Sequence, residues 1–146
     1  MKLLLLAPLG VLLLLAGCAS ARRADSADTS QTVSMEKGAI VLEGQALRDG
    51  PGSLLAAMKG KVPNLRVHYG QGQCPEISLR GYTSFEQVAN PQVYVDGTLT
   101  SDTCILESLR TDDVERVEVY PQGFTTRPGY GTHAPGLILV FMRTAG

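Results

Sequence analysis

Residues Val114–Gly123 read VERVEVYPQG. Valines alternate with charged side chains, the period-2 pattern of a half-buried β-strand. Pro121 and Gly123 then end it, because Pro has no amide to donate and Gly favours a turn. Val117 and Val119 fall on one face with Glu115, while Arg116, Glu118 and Tyr120 fall on the other. Val114 is out of phase and is expected to pack from the preceding turn. A strand with valines on one face and charges on the other needs a covered sheet and a partner for its charges.

The segments on either side supply that sheet. Leu137–Met142 (LILVFM) is apolar on both faces, the mark of a central, covered strand. Between the two lies a Gly/Pro-rich loop, 121–136. Val93-Tyr94-Val95 is β-rich and runs into Asp96-Gly97, a strong two-residue hairpin signal, with Thr98-Leu99-Thr100 as the return arm. Upstream, Ser53 is a good N-cap for a helix carrying Leu54, Leu55 and Met58, which Gly60 and Pro63 stop. Strands are expected around Leu65–Tyr69 and Ile77–Leu79, a short first strand at Ala39–Leu42, and one or two helical turns from Cys104 to Leu109 with Asp102 as cap. The expectation is a small α+β domain: a mixed sheet of about four to five strands with two short helices.

The chain has 146 residues and begins MKLLLLAPLGVLLLLAGC. Lys2 precedes a 14-residue apolar run, Leu3–Ala16. That is too short to cross a hydrocarbon core of about 30 Å as a helix, and it reads as a secretory signal over residues 1–17. Leu15-Ala16-Gly17-Cys18 resembles the lipobox of bacterial lipoproteins. The resemblance implies that the Cys18 thiol takes a diacylglyceryl group, that cleavage follows Gly17, and that the new amine is acylated. A plain secretory signal with an incidental Cys is the alternative. Several acyl chains on one residue anchor a protein stably where one does not. Without an Asp after Cys18, sorting is expected to favour the outer membrane, with the domain facing the periplasm. Residues 18–38, polar and without apolar period, are expected to be the lipidated Cys and a flexible tether, and 39–146 the folded domain.

Loss of residues 1–17 leaves 129 residues and removes Lys2, so twelve basic side chains stand against fourteen acidic ones, a net charge of −2. No basic face calls for nucleic acid. Cys74 and Cys104 then remain, and export to an oxidising compartment favours a disulfide between them. Two free buried thiols or a metal site are the alternatives, the last poor for want of partnered histidines. His68 and His133 are the only histidines. With no G-x-S-x-G, H-E-x-x-H or phosphate-binding glycine loop, no catalytic activity and no cofactor are expected.

Taken in order, SLLAAMKGKVPNLRV, ISLRGY, VYVDGTL, VERVEVYPQG and YGTHAPGLILVFMR resemble the plug domain of TonB-dependent outer-membrane receptors over about Leu54–Arg143. The family shows I-R-G, V-x-V-D-G-V, I-E-R-I-E-V-x-x-G and Y-G-x-x-A-x-G-V-I in this order. The resemblance carries over to Arg80, Gly81, Asp96, Gly97, Glu115, Arg116, Glu118, Tyr130, Gly131 and Gly136. It implies a plug fold in which the charged strand residues face a barrel wall. Arg80, Glu115, Arg116 and Glu118 are expected either to form a charge network across neighbouring strands or to make a solvated strand face. Gly81, Gly131 and Gly136 are expected where the backbone is tight. Departures accompany the likeness. Receptors continue into a barrel of about 22 strands, whereas this sequence reads as a plug alone. Residues 19–38 hold no convincing TonB-binding motif. Pro135 stands where a small residue or Gly is usual, and the loop 121–130 is longer than usual. The functional expectation is a non-catalytic binding or accessory lipoprotein linked to outer-membrane transport, acting through loops 121–136 and 70–75. Its partners would be outer-membrane lipid and an outer-membrane barrel protein supplied by another chain. The alternative is a structural envelope component that pairs through a sheet edge.

Overall fold

The computed structural model describes residues 31–49, 52–70, 74–80 and 89–144. Its main sheet has six strands. In chain order they are β1 (Gln31–Glu36), β2 (Ala39–Gly44), β5 (Gln92–Val95), β6 (Thr98–Leu99), β7 (Val114–Tyr120) and β8 (Leu137–Met142). Their spatial order is β1-β2-β7-β8-β5-β6, with β5 and β8 parallel and every other pair antiparallel. A second sheet pairs β3 (Arg66–His68) with β4 (Glu76–Ser78). The helices are α1 (Gln45–Arg48), α2 (Leu54–Lys59) and α3 (Ile105–Ser108), and a 3-10 turn, Thr111–Asp113, leads into β7.

The architecture is α+β and mixed, as the sequence reading expects, but richer in strands. The largest difference is β1. Residues 31–36 lie inside the segment read as tether, yet they pair along their whole length with β2, Gln31 against Gly44 through Glu36 against Ala39. Lys37 (φ 48°) and Gly38 (φ 84°) make the turn, the left-handed pair that a two-residue hairpin requires. The folded part therefore starts before residue 39, and Ala39–Leu42 is the second strand rather than the first.

Two apolar layers sandwich the sheet. Ile40, Leu42, Val117, Val119, Ile138, Val140 and Val93 point to one face, where Leu54, Leu55 and Met58 of α2, Leu106 of α3 and Ile77 of β4 cover them. Ser53 caps α2, its Oγ accepting from the Ala56 amide at 3.3 Å. Ala39, Val41, Tyr94, Tyr120, Leu137 and Leu139 point the other way and form a smaller cluster, with Tyr130 and Phe141 packed against it. β8 is central and buried on both faces, which explains its unbroken apolar run. Val114 is fully buried although out of phase. The register with β8 shifts between Val114 and Arg116, a bulge that turns Glu115 outward and re-aims Val114 into the core.

Candidate functional site

The alternation of β7 places Glu118 and Tyr120 on the smaller apolar face, Glu118 between Val41 of β2 and Leu139 of β8. A carboxylate there is costly unless every lone pair is used. Glu118 is 1 % exposed and uses them fully. Arg116 Nε donates to Oε1 at 2.6 Å. Arg127 closes a two-pronged clasp, Nε to Oε2 at 2.6 Å and a terminal nitrogen to Oε1 at 2.5 Å. The Tyr120 hydroxyl donates to Oε2 at 2.9 Å. Arg116 also binds Glu43, its cross-strand partner, and Glu36 of β1 at 2.7 Å.

Burial opposes ionisation of Glu118, but the bonds from Arg127, Arg116 and Tyr120 outweigh it and hold its pKa below the ordinary 4.5. The Glu118 carboxylate likewise raises the pKa of Arg127. Burial pulls Arg116 down, yet its bonds to Glu36 and Glu118 leave it raised. Tyr120 is raised by burial first, with Glu118 adding to it against Thr125. All four groups keep their ordinary charge state at neutral pH.

Arg127 comes from the loop that follows β7. The loop is closed at its base: the Gly123 amide donates to Tyr120 O at 3.0 Å and the His133 amide donates to Gly123 O at 2.8 Å. Gly123 has φ 74°, and a Cβ there would lie 1.8 Å from His133 O. Only Gly fits. The His133 ring Nε2–H donates to Asn90 O at 2.9 Å, so this histidine pins the loop to the segment leading into β5. Tyr130 meets the Tyr94 ring edge-on, centroids 5.0 Å apart, and Arg127 Cζ sits 5.0 Å from the Phe141 ring centre.

A second feature lies at the other edge. Cys74 and Cys104 are joined by a disulfide, Cα atoms 4.7 Å apart. It lines an open groove of about 790 Å³ of mixed character beside the β5–β6 hairpin, with Glu76, Asn90, Val93, Leu99 and Asp102. Cys74, Asp102 and Cys104 form the one cluster of metal-ligating types among the described residues. With both sulfurs in the disulfide, Asp102 alone keeps ligand capacity.

The residues singled out from sequence separate here. Arg116 and Glu118 are in the network. Arg80 is not: its Nε donates to Pro121 O at 2.6 Å and so ties β4 to the loop. Glu115 is exposed at the bulge and also outside it. Glu36, Glu43 and Arg127 complete the network and were not expected from the sequence. Asp96 (φ 46°) and Gly97 (φ 82°) make the expected turn, and Asp96 Oδ1 also accepts from the Met142 amide at 2.9 Å. Gly136 is tight, φ 126°, with Leu79 Cδ1 2.6 Å from any added Cβ. Gly131 is not tight, since a Cβ would meet nothing within 4 Å and its φ is not left-handed. Asp102 is not the helix cap: its Oδ1 accepts from the Cys104 amide at 3.0 Å in a turn ahead of α3, whose N-cap is Cys104 without a side-chain cap bond. Cys18, Gly81 and part of loop 70–75 lie outside the described residues. Among the described residues no helix is long and apolar enough to cross a membrane.

Fold and site together define a small α+β module in which β7 carries an ion-paired face closed by a loop. The chain belongs to the TonB-dependent receptor plug domain family, whose model matches residues 26–136. Among solved structures, a chain of the RagAB peptide importer in its closed-closed state is similar. Its TM-score is 0.55 at 22 % identity, over 77 % of this chain and 13 % of that one. That likeness concerns the fold, and this chain spans about an eighth of the importer chain. A search of curated proteins finds no match.

Proposed function

We propose that the protein is a non-catalytic accessory lipoprotein of outer-membrane transport. Cys18 carries the acyl chains, the domain faces the periplasm, and it docks with an outer-membrane barrel supplied by another chain. The observation that carries this is the plug fold with an ordered charged face on β7. The solved relative named as a peptide importer supports the transport setting. The lipobox-like Leu15–Cys18 supports the anchor.

The test is capture of the tagged full chain, at native expression, from detergent-solubilised membranes. A barrel protein recovered in stoichiometric amount is the expected result, and recovery of the chain alone refutes it. Mass spectrometry of the mature N-terminus checks the anchor: an acylated Cys18 is expected, and a free amine on an unmodified residue 18 rules it out.

A second reading, self-association through a sheet edge, is favoured by β1. Val33 and Met35, on its one face, are 47 % and 72 % exposed on a terminal strand of the sheet. Light scattering after size exclusion separates the two readings, a defined oligomer supporting the second.

A further inference from the structure

Loop 121–136 is fixed at its base and loosely held along its span. The base is closed by the Gly123–His133 bonds and by the His133 ring on Asn90. Between them, residues 124–132 touch the sheet through Thr125, Arg127 and Tyr130. Phe124 is 59 % exposed, and a Cβ on Gly129 (φ 91°) would meet nothing. Beneath this span lie Tyr94, Tyr120, Leu137, Leu139 and Phe141, with Glu118 among them.

The place that Arg127 fills has the features of an arginine receptor. A carboxylate offers both oxygens to one guanidinium, which matches the planar fork better than it matches an ammonium. The Phe141 ring lies within cation–π range of the same group. Lifting Arg127 away would leave Glu36, Glu43 and Glu118 against Arg116 alone, a local charge of −2. The vacated face would be acidic, aromatic and short of one cation.

We propose that residues 124–132 are a displaceable strap over a docking face, and that this face accepts an arginine side chain of a partner protein in the place Arg127 holds in cis. The strap cancels one of those charges and covers the face while the domain is alone. A partner arginine flanked by apolar residues takes over the clasp and the rings beneath it. This stands on the geometry of the clasp and does not depend on the partner being a barrel.

The test is hydrogen exchange on the mature chain, wild type and Arg127→Ala. Amides in 124–132 are expected to exchange about ten- to a hundredfold faster in the variant, as loss of a charged two-pronged hydrogen bond implies. Those in β7 and β8 should stay close to wild type. Millimolar N-methylguanidinium should raise the variant's melting temperature while leaving 124–132 fast-exchanging, and methylammonium at the same concentration should not raise it as far. Unchanged exchange in the variant would show that the clasp does not hold the strap. Equal action of the two ions would show screening rather than a receptor, and would overturn the proposal as well. If Arg127→Ala does not fold, Arg127→Lys gives the same reading. It retains a cation but not the fork, so its strap should exchange at an intermediate rate and still respond to methylguanidinium.

Discussion

Glu118→Gln removes the charge at the centre of the network and keeps the shape. The amide leaves one acceptor where two arginines and a tyrosine donated, and turns an NH₂ toward an arginine donor. Breaking a fully buried pair costs about 3–5 kcal/mol. Here the Arg116 and Arg127 side chains are 23 % and 43 % exposed, so water regains part of their solvation. Arg116 also keeps Glu36 and Glu43. Those offsets reduce the cost to about 2–3 kcal/mol. In urea, with the unfolding followed by circular dichroism, the midpoint should fall by roughly 1–2 M.

The pH dependence gives the sharper check. The folded-state pKa of Glu118 lies below 4.5, so the native state binds a proton less readily than the unfolded chain does. Its contribution is full above the unfolded value and is lost as pH falls through the folded one. Wild type and variant should therefore differ fully at neutral pH and converge below about pH 4.5. A neutral-pH difference under about 0.5 kcal/mol would refute the reasoning, being no more than an ordinary surface substitution costs. So would a difference that persists undiminished at about pH 3, since the charge would then not be its source.

Further outcomes follow from local geometry. Gly123→Ala should cost more than about 2 kcal/mol in thermal melts, because the added Cβ meets His133 O at a left-handed φ. Gly131→Ala, in open space, should stay within about 0.5 kcal/mol. Replacing both Cys74 and Cys104 by Ser opens a cross-link of sequence separation 30, and should cost roughly 3–4 kcal/mol by urea titration without reductant. Reductant should bring wild type to the same midpoint. Asp96→Ala should cost about 1–2 kcal/mol by the same titration, losing both the turn preference and the acceptor for the Met142 amide. Asp96→Asn, which tolerates positive φ and keeps a carbonyl there, should recover most of it.

What the sequence made legible was local. Asp96-Gly97 announces its hairpin because few residues accept two left-handed positions in succession. The alternation in 114–120 announces its faces, and LILVFM its central place. β1 left no such mark. Its exposed edge position puts Val33 and Met35 in solvent, so no burial demands an apolar period, and Lys37 is a poor advertisement for a left-handed turn.

The network was hidden for a related reason. Glu43 meets Arg116 because β2 pairs with β7 in one register, and Glu36 joins only because β1 pairs with β2. Both facts depend on long-range pairing, and a one-residue slip would send those side chains to the other face. Arg127 depends on a loop closure set by Gly123 and His133, ten residues apart and without periodicity. Family motifs mark Arg116 and Glu118 but not the residue that answers them. That residue lies in the irregular loop between β7 and β8. The loop is thus what lets the domain pair its own buried carboxylate with a second guanidinium.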